Sequence, residues 1–353
     1  MPNTKNFNII PEEVKNVLIV RQHHQLGDML CALPMFAAIR NKYPQAHITL
    51  IASPVSYDIL KSKANPYLDE VINFNKQTIF HILSFFNGLY SRKYDIGIVP
   101  STASISRTSH IINYIAGSKV RVGVESIGNK INKSANLLNI KSKFNWDEKK
   151  LHQTERNLDI SKLIDCDISE TDKKKVRIYF DNSEKEFVNR FYETTFPDKS
   201  KPVFMFHPGA AKTMNRWNPF NFVDLMAVLY KTYDPYLCLT SGPIDKEITD
   251  LIRDELSQLN IPCEVIEKTP IRKVGALIEK ATLYITNDTG TMHVASYVNA
   301  SVVGLFGPTN GYEWGPVNER GCYIQSPGND INGITVDNVF ELSKSVILNH
   351  SVK

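Results

Sequence analysis

The stretch TLYITNDTGTMHVASYVNASVVGLFGPT, residues 282–309, constrains this chain more than any other. Thr282 to Thr286 mix β-branched and apolar residues, as a strand buried in a parallel sheet does. Asn287-Asp288-Thr289-Gly290 stops that strand and offers capping side chains to a helix starting near Thr291. A second apolar strand follows the helix. A helix N-terminus at a strand's carboxyl end presents unpaired N–H groups and about half a positive charge, which attracts phosphate. Two threonine hydroxyls, Gly290 and, one turn in, His293 lie near that point. The same residues also describe an ordinary strand–turn–helix joint with Asp288 as a plain cap, so the rest of the chain has to decide.

The rest repeats the pattern. NVLIVR (Asn16 to Arg21) reads as a buried strand, followed by the loop from Gln22 to Asp28 and a helix to about Tyr43, with Pro44 beyond it. Further strands are expected at His47–Ala52, Val71–Phe74, Tyr94–Val99 and Val120–Val124. Helices fall between them at Pro54–Lys63, Gln77–Ser91 and Ser104–Ala116. The polar, Asn- and Lys-rich stretch from Ile127 to Trp146 reads as a loop, Asp147 to Asp165 as a helix and Val176–Phe180 as a short strand. After the loop PDKSKP the alternation restarts. Strands are expected at Pro202–His207, Tyr236–Thr240, Glu264–Ile266 and Cys322–Gln325, with helices at Pro219–Tyr233, Ile244–Leu259, Ile271–Lys280 and Val336–Asn349. Strands alternating with helices predict an α/β protein with parallel sheets covered on both faces. Two such halves predict two Rossmann-like domains, residues 1–190 and 191–353, facing a cleft, with ligands outside the carboxyl ends of the strands. The terminal helix, 336–349, is a candidate to pack back on the N-terminal domain.

At 353 residues the chain has room for two domains, and 42% hydrophobic with 22% charged residues is the balance of a globular protein. A net charge of +4 fits an anionic ligand or an acidic membrane surface and does not point to nucleic acid. The five cysteines are scattered, without C-x-x-C spacing, which argues for reduced thiols and against a disulfide frame or a zinc site. The N-terminus lacks the charged-then-apolar pattern of a signal peptide, so a cytoplasmic location is expected.

Three loops carry candidate chemistry. In the first, Gln25, Gly27 and Asp28 follow the first strand; Asp28 could take a proton from an incoming hydroxyl, or simply cap the next helix. In the second, HPGAAKTMNRW, Gly209, Lys212, Thr213, Asn215 and Arg216 offer amides and cations suited to a diphosphate, or solvated surface charges. Trp217 reads as a packing residue. The third is the turn Asp288, Thr289, Gly290 with His293, continued by Phe306-Gly307-Pro308-Thr309; His293 reads equally as a buried histidine or a ligand contact. Glu247 could accept from ribose hydroxyls or serve as a favourable acid in a first helical turn. In Thr78–Tyr90, TIFHILSFFNGLY with Arg92 and Lys93 beyond, the aromatics suit either a helix packed on the sheet or one resting on a bilayer.

Taken together, these segments resemble the ADP-heptose:lipopolysaccharide heptosyltransferases, inverting glycosyltransferases of family 9. The likeness covers most of the chain and is carried by VLIVRQHHQLGDMLCALPMFAAIRNKYPQAHITLIAS, LHQTERNLDISKLI, FHPGAAKTMNRWNPFNFVDLMAVL and ITNDTGTMHVASYVNASVVGLFGPTNGYEWGP. The D-T-G-x-x-H turn followed by F-G-P-T is its most specific part. The resemblance implies a GT-B fold, acceptor bound by the N-terminal half, nucleotide sugar by the C-terminal half, and neither metal nor cofactor. It implies a lipid-linked saccharide acceptor, and with it peripheral contact with the inner membrane. It places Asp28 on the family's catalytic aspartate, Gly27 and Gln25 on the acceptor side, Asp288, Thr289, Gly290 and His293 on the donor turn, Gly209 in the donor loop, and Glu247 on the ribose-holding acid. Where the family has a phosphate-contacting lysine two residues before the tryptophan, this chain has Asn215, leaving Arg216 or Lys212 to substitute.

Other readings are a family-9 transferase for a different nucleotide sugar, a catalytically weak nucleotide-sugar-binding protein, an exported solute receptor and a dinucleotide oxidoreductase. The last lacks a G-x-G-x-x-G after either leading strand, and the receptor lacks an export signal.

Overall fold

The computed structural model describes residues 9–22, 25–75, 78–147 and 151–351. His23 and His24 of the expected first loop, Gln77 at the start of an expected helix, and residues 148–150 lie outside the described residues. The chain divides into two compact units, Met1–Val176 and Arg177–Lys353.

The first unit is built on β1 (Asn16–Arg21), β2 (His47–Ala52), β3 (Glu70–Asn73), β4 (Ile96–Ile98), β5 (Val120–Ile127), β6 (Lys130–Ile131) and β7 (Ile140–Phe144). They form one seven-stranded sheet in the order β3-β2-β1-β4-β5-β6, with β7 also paired to β5. Every pairing is parallel except the β5–β6 hairpin. Val17 to Val20 are fully buried in β1, between β2 and β4, as an uninterrupted apolar run in a covered parallel sheet must be. The stretch 127–146 is therefore not a plain loop: it holds β6, β7 and a short 3-10 turn, Ala135–Leu137. Its polar residues hid β7, whose side chains are mostly half-buried because it lies beyond the end of the β4–β5 pairing.

The second unit carries β8 (Val203–His207), β9 (Tyr236–Thr240), β10 (Cys263–Ile266), β11 (Leu283–Asn287), β12 (Val302–Phe306) and β13 (Gly321–Gln325), in the order β10-β9-β8-β11-β12-β13 and parallel throughout. The order reverses between β8 and β11, which is where an open α/β sheet splays its loops to leave room for a ligand. The core beneath includes Phe204, Phe206, Trp217, Phe222 and Leu305, all fully buried.

The boundary falls earlier than 190/191. The helix Asn182–Thr195 belongs to the second unit because Glu184 at its start pairs with the buried Arg272, whose guanidinium also bonds the Tyr179 carbonyl. The run Val176–Phe180 is not a strand. Val176, Ile178 and Phe180 alternate inward, but the Ile178 N–H bonds the Tyr297 carbonyl at a helix end and no ladder forms. In the terminal helix, Val336–Ser351, Val339 and Ile347 join the core of Trp217 and Phe222 within the second unit. The five cysteines stand as thiols.

Candidate active site

In the first unit, the candidate base sits where β1 ends. Its helix, Leu26–Leu30, has Gln25 as N-cap without a side-chain cap bond, so Asp28 is an acid in the first turn and not the cap. The helix's positive end favours a carboxylate there. Asp28 is only 7% exposed and directs Oδ1 to 3.7 Å from Nη2 of Arg21, the last residue of β1. Arg21 is itself buried, and its Nη1 donates to the Pro100 carbonyl and to Asn157 Oδ1 at 2.9 Å. Burial pushes its pKa down while the Asp28 charge pulls it back up. Gln25 is exposed and Gly27 partly so on the same turn.

In the second unit, the helix Gly290–Tyr297 starts directly after β11, with Thr289 as an extended N-cap whose side chain makes no cap bond. Its hydroxyl instead meets Thr291 Oγ1 at 2.8 Å. The first-turn amides are thus not covered by a capping side chain. Asp288 is not the cap. Its Oδ2 accepts from Asn215 Nδ2 at 3.0 Å, and the same nitrogen donates to Thr309 Oγ1 at 3.3 Å. Burial raises the Asp288 carboxyl above the ordinary carboxylate range, while the Thr309 bond and the charge of Lys212 oppose the rise. Asn215, buried, leaves its Oδ1 without a partner among the described residues. Asn287 ties the two loops together: Nδ2 donates to the Pro208 carbonyl at 2.7 Å and Oδ1 accepts from the Trp217 N–H at 3.2 Å.

The two cations of that loop differ. Lys212 is exposed, whereas Arg216 is half-buried and spends Nε on the Ala210 carbonyl at 2.7 Å. His293 is buried, with its ring edge-on to Trp314, centroids 6.3 Å apart. Trp217 is a packing residue, fully buried, with Nε1 donating to the Ile334 carbonyl.

Beside the turn lies a cavity of about 450 Å³ lined by His207, Ser241, Gly242, Lys246, Lys268 and Thr291, among others. That is within the size range of small-ligand sites. Glu247 is exposed, one residue beyond Lys246 on the helix Lys246–Gln258. The buried acid at this end is Asp245, which sequence reasoning passed over. Its Oδ2 accepts from the Gly242 N–H at 3.0 Å and lies 3.8 Å from His207 Nε2. The Thr240 carbonyl can only accept, so His207 Nδ1, 3.0 Å away, carries the ring proton, and burial keeps the ring toward its neutral form. Gly209 packs closely on this acid. A Cβ there would stand 2.2 Å from the Asp245 carboxyl carbon, so the glycine makes room for Asp245. Gly242, whose Cβ would lie 2.6 Å from Asp245 Oδ2, does the same. Among the described residues no group of three or more His, Cys, Asp or Glu is placed to hold a metal.

The chain matches the model for glycosyltransferase family 9 (heptosyltransferase) over residues 82–332. It is 23% identical over 286 residues to lipooligosaccharide heptosyltransferase 2 of Campylobacter jejuni subsp. jejuni serotype O:2, covering 80% of this chain and 78% of the relative. A protein of the same name from Haemophilus influenzae is 26% identical over 144 residues, 40% of this chain and 41% of that relative. Among solved structures, a family 9 glycosyl transferase from Veillonella parvula superposes with a TM-score of 0.79 at 18% identity, covering 95% of this chain and 97% of that one. ADP-heptose LPS heptosyltransferase II of Escherichia coli gives 0.74 at 22%, covering 96% and 99%. The fold shared with these neighbours is GT-B.

Proposed function

The chain belongs to glycosyltransferase family 9, and on that premise we propose that it moves a heptose from ADP-heptose to a lipopolysaccharide-core saccharide, with inversion and without a metal ion. The observation that carries the donor half is the Asp288 turn. Side-chain-uncapped helix amides, Lys212 and a buried carboxylate stand together beside a cavity of nucleoside size. The donor named for the Escherichia coli neighbour supports ADP-heptose.

In this reading an acceptor hydroxyl attacks the anomeric carbon as its proton passes to Asp28. The bond from that carbon to the β-phosphate oxygen breaks, and ADP leaves with the electron pair. General-base help of this kind is worth about 10²–10⁴-fold. The helix amides and Lys212 stabilise charge growing on the diphosphate, the role a divalent ion plays in metal-dependent transferases. Gln25 and Gly27 lie on the acceptor side. Asp288, Thr289, Gly290 and His293 hold the donor, with Arg216 and Gly209 shaping the loop that carries Lys212. Glu247, exposed and next in sequence to the cavity-lining Lys246, meets the ribose.

The protein works in the cytoplasm against the inner face of the membrane, where a lipid-anchored acceptor is presented. No helix among the described residues is long and apolar enough to cross a bilayer. The helix Ile79–Tyr90 buries Phe85 and Leu89 but leaves Phe80 79% and Leu83 and Tyr90 each 59% exposed. No acid occurs from Val71 to Tyr94, while Arg92 and Lys93 follow the helix, so this face suits an anionic lipid surface. Cosedimentation with anionic vesicles should fall on Leu83→Ser; unchanged cosedimentation removes the membrane contact.

A thermal-shift screen of ADP-, GDP- and UDP-sugars tests the donor. A ligand at 100 times its Kd adds about 2.7 kcal/mol. Stabilisation by a UDP- or GDP-sugar alone would assign a different donor. ADP-heptose binding without product formation on a heptose-deficient lipooligosaccharide would favour the binding protein.

A further inference from the structure

The base reading of Asp28 leaves the strand residue before its loop unexplained. Val17 to Val20 are apolar and buried, yet the next residue, Arg21, is equally buried and carries a guanidinium that the sheet does not need. A buried cation is costly unless its donors are met. Here Nη1 bonds two acceptors from separate elements: the Pro100 carbonyl just past β4, and Asn157 Oδ1 on the helix Gln153–Ser161. Asn157 is fully buried and its Nδ2 is fixed on the Gln153 carbonyl at 2.8 Å, so its oxygen is aimed. Nε has no partner among the described residues. The guanidinium is therefore anchored on one amino group while the other faces Asp28 Oδ1 at 3.7 Å. That distance is longer than a formed hydrogen bond, and such bonds often tighten only once substrate is bound.

We propose that Arg21 is a positioning residue for the transfer step: anchored by Asn157 and Pro100, it aims the Asp28 carboxylate at the acceptor hydroxyl. This rests on the reading of Asp28 as base. Arg21 touches neither donor nor acceptor, and its effect passes through Asp28.

The test measures kcat, both KM values and donor affinity in the full chain, with ADP-heptose and a heptose-deficient lipooligosaccharide as probes. Arg21→Met should lose about 10²-fold in kcat, the lower range of a general-base contribution, with donor affinity unchanged. Arg21→Lys, which keeps the charge but not the two-pronged geometry, should recover part of the loss. Asn157→Leu, which frees the anchor but leaves the charge, should cost about tenfold in kcat with KM unmoved, a fraction of that same contribution. Wild-type kcat in a folded Arg21→Met protein overturns the proposal, and so does an equal loss in Arg21→Lys and Arg21→Met. Should Arg21→Met fail to fold, Asn157→Leu decides, and an unchanged kcat there is equally fatal. Full transfer by Asp28→Asn would instead remove the base reading itself, whatever the Arg21 variants do.

Discussion

Each unit ends a central parallel strand in a turn, a helix start and an aspartate, and the two aspartates are treated in opposite ways. Asp28 faces a buried guanidinium that is anchored elsewhere. Asp288 is met by an amide nitrogen and a threonine hydroxyl, neutral donors both, and the charge acting on it is that of the exposed Lys212. The first environment fixes where a carboxylate points; the second leaves a carboxylate short of charge compensation until something binds. One sheet corner is equipped to hold a proton acceptor, the other to gain from a ligand that brings hydroxyls and cation-seeking phosphates.

Asp28 carries the largest expected effect. Asp28→Asn should cut turnover by about 10²–10⁴-fold, read as ADP release from ADP-heptose with acceptor present; turnover near the parent value would end the base assignment. The next effect is on the fold of the donor corner. Gly209→Ala should destabilise the protein by about 1–3 kcal/mol, because its Cβ must displace a carboxylate packed against Gly209 and Gly242. Chemical denaturation would show it, and an unchanged midpoint would mean that Asp245 moves aside at no cost. Smaller again, Lys212→Ala should weaken ADP-heptose binding about threefold to tenfold, up to about 1.4 kcal/mol. Arg216→Ala should weaken it less, since Arg216 Nε already serves the Ala210 carbonyl. The reverse ranking in a titration would make Arg216 the phosphate cation.

The smallest effect sharpens the contrast through pH. The Asp288 carboxyl is raised in the folded, unliganded protein. The fold therefore binds this proton more readily than the unfolded chain, and stability is lost as pH rises from the unfolded value of about 3.9 through the folded one. Asp288→Asn removes that penalty. It should melt higher than the parent at pH 7 without ligand, with the difference vanishing toward pH 4. A melting point independent of pH in the same comparison would contradict the raised carboxyl.

Much of this frame was legible in the residues. β1 and the helices Pro219–Tyr233 and Ile271–Lys280 coincide with their expected bounds, because an apolar run or a proline at or beside the first helical position marks each start. Elements whose identity comes from partners were not legible. β7 is a strand because β5 offers it a ladder, whereas Val176–Phe180 has the period-2 pattern and no ladder to join. The site divides in the same way. The D-T-G-x-x-H turn stands out as a string, but Asp245 looks like any acid ahead of a helix until Gly209 and Gly242 are seen pressed against it. Arg21 carried a signal that went unused: a cation closing the buried run VLIV has to have a reason to be there.

The division of labour between the two corners is tested most directly by calorimetric titration of ADP-heptose, without acceptor, into the parent, Asp28→Asn and Asp288→Asn. The account predicts parental affinity for Asp28→Asn and a loss of about tenfold for Asp288→Asn, in keeping with one lost hydrogen bond to a charged group. Affinity lost in Asp28→Asn and kept in Asp288→Asn would contradict it.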